Sequence, residues 1–179
     1  MPVRELNIAV LCGDAAACLR PLHEGRSLGL LSEAGCPAIA DPGAALVEAA
    51  HRKGFRVVPL VGPSSIVLAL MASGLEGQRF AFCGYLPRES AARRARILEL
   101  ERRSRREQET QIFIETPYRS DALQAALLDA CAGATRLCIA ADLTLPSESI
   151  RTRRVAEWRA APAAVGRRPA VFLLLAQSR

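Results

Sequence analysis

Leu30-Leu31-Ser32-Glu33-Ala34-Gly35-Cys36-Pro37-Ala38-Ile39-Ala40-Asp41-Pro42-Gly43 is the stretch from which the fold is read. Leu28 to Leu31 form a short apolar run of the kind found in strands buried on both faces of a parallel sheet. The run breaks off in a loop of small residues, where Ala34 and Gly35 let a ligand approach the backbone closely. Asp41-Pro42 reads as an N-cap followed by proline at the first helical position, opening a helix over Ala44 to Arg52. A loop at the carboxyl end of a parallel strand is where open α/β sheets hold their ligands. An ordinary strand–turn–helix joint has the same local pattern, so both readings stand at this point.

Outward from that stretch, strands and helices alternate. Glu5 to Leu11 is expected as a strand, Ala15 to Glu24 as a helix bent at Pro21 and ending near Gly25, and Ser27 to Leu31 as the next strand. Gly54 closes the helix Ala44 to Arg52, and Phe55 to Val61 is a β-branched strand. Gly62-Pro63-Ser64-Ser65 then turns the chain into an apolar helix over Ile66 to Met71. A turn of this kind exposes backbone N–H groups and hydroxyls to an anion or a ribose, or simply caps the helix. Ser73-Gly74-Leu75-Glu76-Gly77 ends the helix and marks the expected boundary between two domains, 1–77 and 78–179. The alternation up to this point predicts a parallel, doubly wound sheet.

Past the boundary, Gln78 to Arg88 reads as a strand running into a loop. Ser90 is expected to cap a long helix to about Gln108, with Ala91, Ala95 and Leu98 on its apolar face and arginines on the others. Thr110 to Glu115 is a strand, Thr116-Pro117-Tyr118-Arg119 a turn, Asp121 to Cys131 a helix and Arg136 to Ala141 a strand. Glu148 to Arg154 and Arg168 to Ala176 are further strands, with a short helix at Val155 to Arg159.

Composition narrows the function classes. The 179 residues are long enough to bury roughly 70% of the unfolded surface without staples. No window approaches roughly eighteen uninterrupted apolar residues, and the first residues lack the apolar core of a signal peptide, so a cytoplasmic chain with no membrane span is expected. Cysteines stand at 12, 18, 36, 83, 131 and 138 with no C-x-x-C pair, and His23 and His51 are far apart. That spacing argues against zinc or any other metal and for buried reduced thiols. Residues 1–79 carry seven basic and seven acidic side chains; residues 80–179 carry 17 and 11, so the whole net charge of +6 lies in the second part. The asymmetry permits a polyanionic partner, although 23 of the 24 basic residues are arginine, a bias that genome composition also produces.

Five short motifs stand in order: Ser32-Glu33-Ala34-Gly35-Cys36-Pro37 with Asp41-Pro42-Gly43; Gly62-Pro63-Ser64; Ser73-Gly74; Gly84-Tyr85-Leu86-Pro87-Arg88; and Glu115-Thr116-Pro117-Tyr118-Arg119. From about Ser27 onward this order resembles the tetrapyrrole (corrin/porphyrin) methylase superfamily, and within it the branch of ribosomal RNA small-subunit ribose 2′-O-methyltransferases. The resemblance implies two α/β domains, a parallel sheet in the first and a mixed sheet in the second, with a ligand cleft between them. It implies S-adenosyl-L-methionine as methyl donor, met by Ala34, Gly35, Cys36 and Ile39 on one side, by Ser64 and Ser65 from the next loop, and by Glu115 and Leu143 from the second domain. Arg88, Tyr118 and Arg119 would contact the substrate through phosphate pairing and stacking. Asp41, Glu33 and Glu115 are the carboxylates near these loops, and none is singled out as general base. Ribosomal RNA or the small ribosomal subunit is the implied partner, and a homodimer the implied assembly. Against the family's pattern the chain is expected to lack the first strand and its loop; Cys12-Gly13-Asp14 stands where the branch carries His and Asn, and Glu89 where a lysine is common. Two alternatives follow from these departures: a non-catalytic homologue acting as a binding or subunit module, or a methylase of a small tetrapyrrole-like substrate.

Overall fold

The computed structural model describes residues 17–177, which divide into one unit ending at Ser64 and another beginning at Ser65. The first unit carries helices α1 (Arg20–His23) and α2 (Ala44–Arg52). Leu19, Leu46, Ala49 and Ala50 form its buried cluster, with Cys18, Leu22, Leu30 and Phe55 packed against it. Helix α2 covers the residues expected, and Gly54 follows it in the left-handed region at φ +74. Its amino end differs from expectation. Gly43 occupies the N-cap with no side-chain cap, because the Asp41 carboxylate accepts a hydrogen bond from Ser32 Oγ at 2.6 Å and so closes the loop instead.

The parallel sheet expected in this unit is not formed by the described residues. Residues 27–31 and 55–61 form neither strand nor helix, and the third expected strand, Glu5 to Leu11, lies outside the described residues. A strand is defined by its ladder, and a ladder needs a neighbouring edge. Leu30 and Phe55 reach the helical cluster, while Leu31, Leu60 and Val61 stand 85% or more exposed.

The second unit is built on a single mixed sheet of β1 (Phe80–Tyr85), β2 (Thr110–Glu115), β3 (Arg136–Ala141), β4 (Ser149–Arg154) and β5 (Ala170–Leu175), in the order β1-β2-β5-β3-β4. Only β1 and β2 are parallel; the other three pairings are antiparallel. Strand β5 is central and buried along its whole length, which explains its unbroken run of apolar residues. Alternation along each strand feeds two cores. Phe113, Leu137, Ile139, Phe172 and Leu174 face helices α4 (Ser90–Glu107), α5 (Ser120–Ala130) and α6 (Val155–Ala160). Ile112, Cys138, Ala140, Val171 and Leu173 face helix α3 (Ser65–Ser73) through Ile66, Ala69 and Leu70. That packing makes α3 part of the sheet's unit, so the division falls ahead of this helix rather than behind it at 77/78. Phe113 and Phe172 are register partners, and their rings stack 6.0 Å apart.

Helix α4 differs from expectation in two respects. Glu89, not Ser90, is its N-cap: the carboxylate accepts from Ala91 N at 2.8 Å and Ala92 N at 2.6 Å, and these backbone bonds hold its pKa below the usual value. The buried stripe is Ile97, Leu100, Glu101 and Ser104, not Ala91, Ala95 and Leu98. Glu101 is tolerated there because it accepts from Ala132 N at 2.8 Å and from the Thr135 hydroxyl, tying α4 to the turn after α5.

Among the described residues Cys18, Cys36, Cys83, Cys131 and Cys138 are free thiols, of which Cys131 and Cys138 are buried. Burial, followed by the nearby Glu101 charge, pushes the Cys131 thiol up to about 12, and burial raises Cys138 as well. Since the thiolate is the nucleophile, both residues should stay unalkylated by iodoacetamide at about pH 8 until denaturant is added. Peptide mass spectrometry reads this directly, and native labelling of Cys131 would contradict its burial. No helix among the described residues is long and apolar enough to cross a membrane.

Candidate functional site

In the first unit, the loop 32–43 is held in a shape that its small residues permit. Gly35 and Gly43 take positive φ, as do Ala38 at +65 and Ala40 at +56. The Ser32–Asp41 hydrogen bond ties the two ends of the loop together. The Cys36 thiol donates to Pro63 O at 3.0 Å, so this loop and the Gly62–Ser64 turn lie side by side. Ala34, Gly35 and Ile39 are exposed, and a Cβ on Gly35 would meet nothing within 4 Å. The result is an open shelf of backbone with one apolar side chain, Ile39, standing 52% exposed beside it. Ser64 ends this unit half-buried, and Ser65 opens α3 in the next.

In the second unit, the registers bring the carboxyl ends of β1, β2 and β3 to one end of the sheet, where β5 begins. Ala170 pairs with both Glu115 and Ala141. Of the residues singled out from the sequence, Glu115 ends β2, and Arg88, Tyr118, Arg119 and Leu143 follow strands at this end. A β-bulge between Phe82 and Tyr85, with Gly84 at φ +66, shifts the register of β1 so that Tyr85 pairs with Ile114 just before the Leu86-Pro87-Arg88 segment. Glu115 is buried, and its Oε1 accepts from Thr116 N at 2.7 Å and from Arg119 Nε and Nη2 at 3.0 and 2.5 Å. Arg119 is therefore engaged with Glu115. Tyr118 is 81% exposed, with the Arg167 guanidinium 5.6 Å from its ring centroid. Leu143 packs on the α3 side of the sheet, in a loop where Asp142 and Thr144 both take positive φ.

Sequence reasoning missed three participants at this end of the sheet: Arg167, Arg168 and Asp142. Arg168 Nε donates to Val165 O at 2.6 Å, and its Nη1 lies 3.8 Å from the Asp142 carboxylate. The available signal was the Gly166-Arg167-Arg168-Pro169 run directly before an apolar strand. Within the first unit the expected residues Ala34, Gly35, Cys36, Ile39 and Ser64 fall on two touching loops. Glu33 is exposed, and neither it nor Asp41 is set apart as a base by its surroundings.

A bent small-residue loop beside a glycine–proline–serine turn gives the first unit an open shelf, and the second unit carries a basic, tyrosine-bearing sheet end. The chain belongs to the Tetrapyrrole (Corrin/Porphyrin) Methylases, whose family model matches residues 13–158. It is 40% identical over 136 residues to the ribosomal RNA small subunit methyltransferase I of Vibrio cholerae, covering 76% of this chain and 46% of that protein. It is 47% identical over 98 residues to the protein of the same name from Xylella fastidiosa, covering 55% of this chain and 34% of that one. The chain thus spans less than half the length of these curated relatives. The crystal structure of the methyltransferase CobJ superposes with a TM-score of 0.62 at 19% identity, over 98% of this chain and 78% of CobJ. That of uroporphyrin-III-C-methyltransferase from Thermus thermophilus superposes with a TM-score of 0.54 at 21% identity, over 97% of this chain and 73% of that one. These two likenesses establish the mixed α/β fold.

Proposed function

We propose that the chain carries an S-adenosyl-L-methionine-dependent methyltransferase activity directed at a ribose 2′-hydroxyl of ribosomal RNA. The observation that carries the reading is its similarity over 136 residues to relatives named ribosomal RNA small subunit methyltransferase I, together with a family match over residues 13–158 that includes both loops of the shelf. The shelf fits such a donor: Gly35 leaves open space at its backbone, and Ile39 offers an apolar surface to a nucleoside. When bound, the sulfonium supplies an activated methyl group for in-line displacement. In this reading Ala34, Gly35, Cys36 and Ile39 hold the donor on one side, Ser64 and Ser65 supply polar contacts from the next loop, and Glu115 and Leu143 complete the second unit's share.

Most of the rate enhancement in such a transfer comes from positioning the hydroxyl behind the methyl carbon. Tyr118 offers the ring face not covered by Arg167 to a base of single-stranded RNA, and Arg88 and Arg167 offer guanidinium groups to phosphates. Arg119 acts through Glu115, whose carboxylate it fixes. The cytoplasmic location and homodimeric assembly belong to the same proposal.

Calorimetric titration of the protein with S-adenosyl-L-methionine tests the donor, and mass spectrometry of ribosomal RNA from a deletion strain tests the acceptor. Measurable heat and the loss of one ribose methyl group are expected. An absence of heat would remove the enzyme reading in favour of a binding module, and unchanged ribose methylation would remove the ribosomal acceptor.

A further inference from the structure

Between α6 and β5 the chain runs as an arm over residues 163–168, and three bonds fix its backbone. The side-chain amide of Gln124, buried on α5, donates to Ala163 O at 3.0 Å. Asp121 Oδ1, in the first turn of α5, accepts from Gly166 N at 2.9 Å, where the glycine takes φ +72. Arg168 Nε closes the arm on itself by donating to Val165 O at 2.6 Å, and Val165 is packed into the core. The Asp121 bond falls immediately before Arg167, whose guanidinium stands 5.6 Å from the centroid of the Tyr118 ring.

Tyr118 is fixed just as firmly from its own side. It sits on the 3₁₀ turn Pro117–Arg119, held by the Arg119–Glu115 pair and by Ser120 Oγ, which donates to Thr116 O at 3.3 Å. An exposed contact between a guanidinium and a ring contributes little to folding. Here both partners are nevertheless carried on backbone that separate bonds hold in place, which lowers the entropy lost when a ligand orders the two planar groups. A second contact of this type, Arg153 at 5.1 Å from the Trp158 centroid, lies on a ring that is 2% exposed, whereas Tyr118 is 81% exposed. Asp121 is the member that local structure does not explain. A carboxylate in the first turn of a helix ordinarily serves the amides of that helix, but this one reaches an amide 45 residues along the chain.

We infer that Asp121 is a positioning residue for RNA: by holding the Gly166 amide it sets Arg167 behind Tyr118, and the two form a stacking platform for one unpaired base. Aromatic and guanidinium planes are the surfaces on which unstacked RNA bases settle. The base lies on the free face of Tyr118, with the guanidinium on the opposite face. A base inside a duplex has no free face to offer, so the platform selects single-stranded RNA. The inference rests on the RNA-directed reading above and deepens it, naming the form of the RNA and a residue outside the contact surface that sets the contact.

Fluorescence anisotropy of the whole chain tests this with a short labelled single-stranded RNA of mixed sequence and with the same strand annealed to its complement. The parent is expected to bind the single strand more tightly than the duplex. Tyr118→Ala and Asp121→Ala should each weaken the single-strand complex at least about fivefold. Asp121→Asn, which keeps the acceptor oxygen, should keep the parental affinity. The direction is informative, because deleting a negative charge beside RNA ordinarily tightens binding to its phosphates. Adding Asp121→Ala to Arg167→Ala should cause no further loss, whereas damage to α5 itself would persist in that background. Equal or tighter binding in Asp121→Ala, an equal loss in Asp121→Asn, a further loss in the double variant, or a parental preference for duplex would overturn the positioning role and leave the RNA-directed reading standing. A parent that binds neither RNA would overturn both.

Discussion

Replacing Arg119 by alanine is expected to destabilise the second unit by about 3–5 kcal/mol, because it leaves a buried carboxylate without its counter-charge. The Glu115 side chain is 1% exposed, and Arg119 supplies two of the three bonds to its Oε1. In the variant Glu115 keeps only the Thr116 amide, which cannot offset the desolvation of a full charge. The sign reverses when both partners change. With Glu115→Met and Arg119→Met together no charge is buried, and the loss should shrink to about 1 kcal/mol, the Thr116 N–H being left without its acceptor. Urea denaturation without ligand measures both. A single variant within about 1 kcal/mol of the parent would show that the pair is solvated rather than buried.

The sequence reading of this pair shows what patterns convey and what they leave out. Strand β2 and the turn after it were legible to the residue, because a β-branched and aromatic run ends at Thr116-Pro117, where proline cannot continue a ladder. The bond between Glu115 and Arg119 was not legible: their spacing looks helical, yet a 3₁₀ turn over Pro117–Arg119 is what brings them together. Helix α2 was legible from its apolar spacing and Gly54, whereas its cap was not, since Asp41 had a competing partner in Ser32, nine residues back. The segments 27–31 and 55–61 have strand composition without strand pairing. Composition reports what one segment prefers, and pairing depends on a second segment at the correct distance. The proposed donor-side residues rest only on the order of motifs, because Ala34, Gly35 and Ile39 have no chemistry of their own that marks a site.

The second large effect concerns Gly43. Alanine at this position should cost about 2–4 kcal/mol, combining left-handed backbone strain with overpacking. Gly43 sits at φ +143, and a Cβ there would lie 2.9 Å from Leu30 Cδ2 and 3.3 Å from both Ala38 Cβ and Ala38 N. Leu30 could rotate away, but the Ala38 backbone is fixed inside the loop by its bond to Pro42 O. The same change at Gly29, which has nothing within 4 Å and an ordinary φ, should move stability by less than about 0.5 kcal/mol. Thermal melts of the two variants side by side decide the matter. Equal melting temperatures would mean that the loop relaxes freely and is no rigid shelf. Gly43→Ala should also weaken any ligand held on Gly35 and Ile39, because the loop that carries them would be displaced.

Strand β5 is the last of the five to be synthesised and yet the one that joins β2 to β3. Until it leaves the ribosome, the nascent chain holds two disconnected ribbons, β1–β2 and β3–β4, each with an apolar margin facing nothing. Assembly of this unit must therefore await the emergence of β5, and any pause shortly before Ala170 would lengthen the time that chaperones have to shield those margins. A premature stop within those few codons would abolish the whole unit rather than trim it.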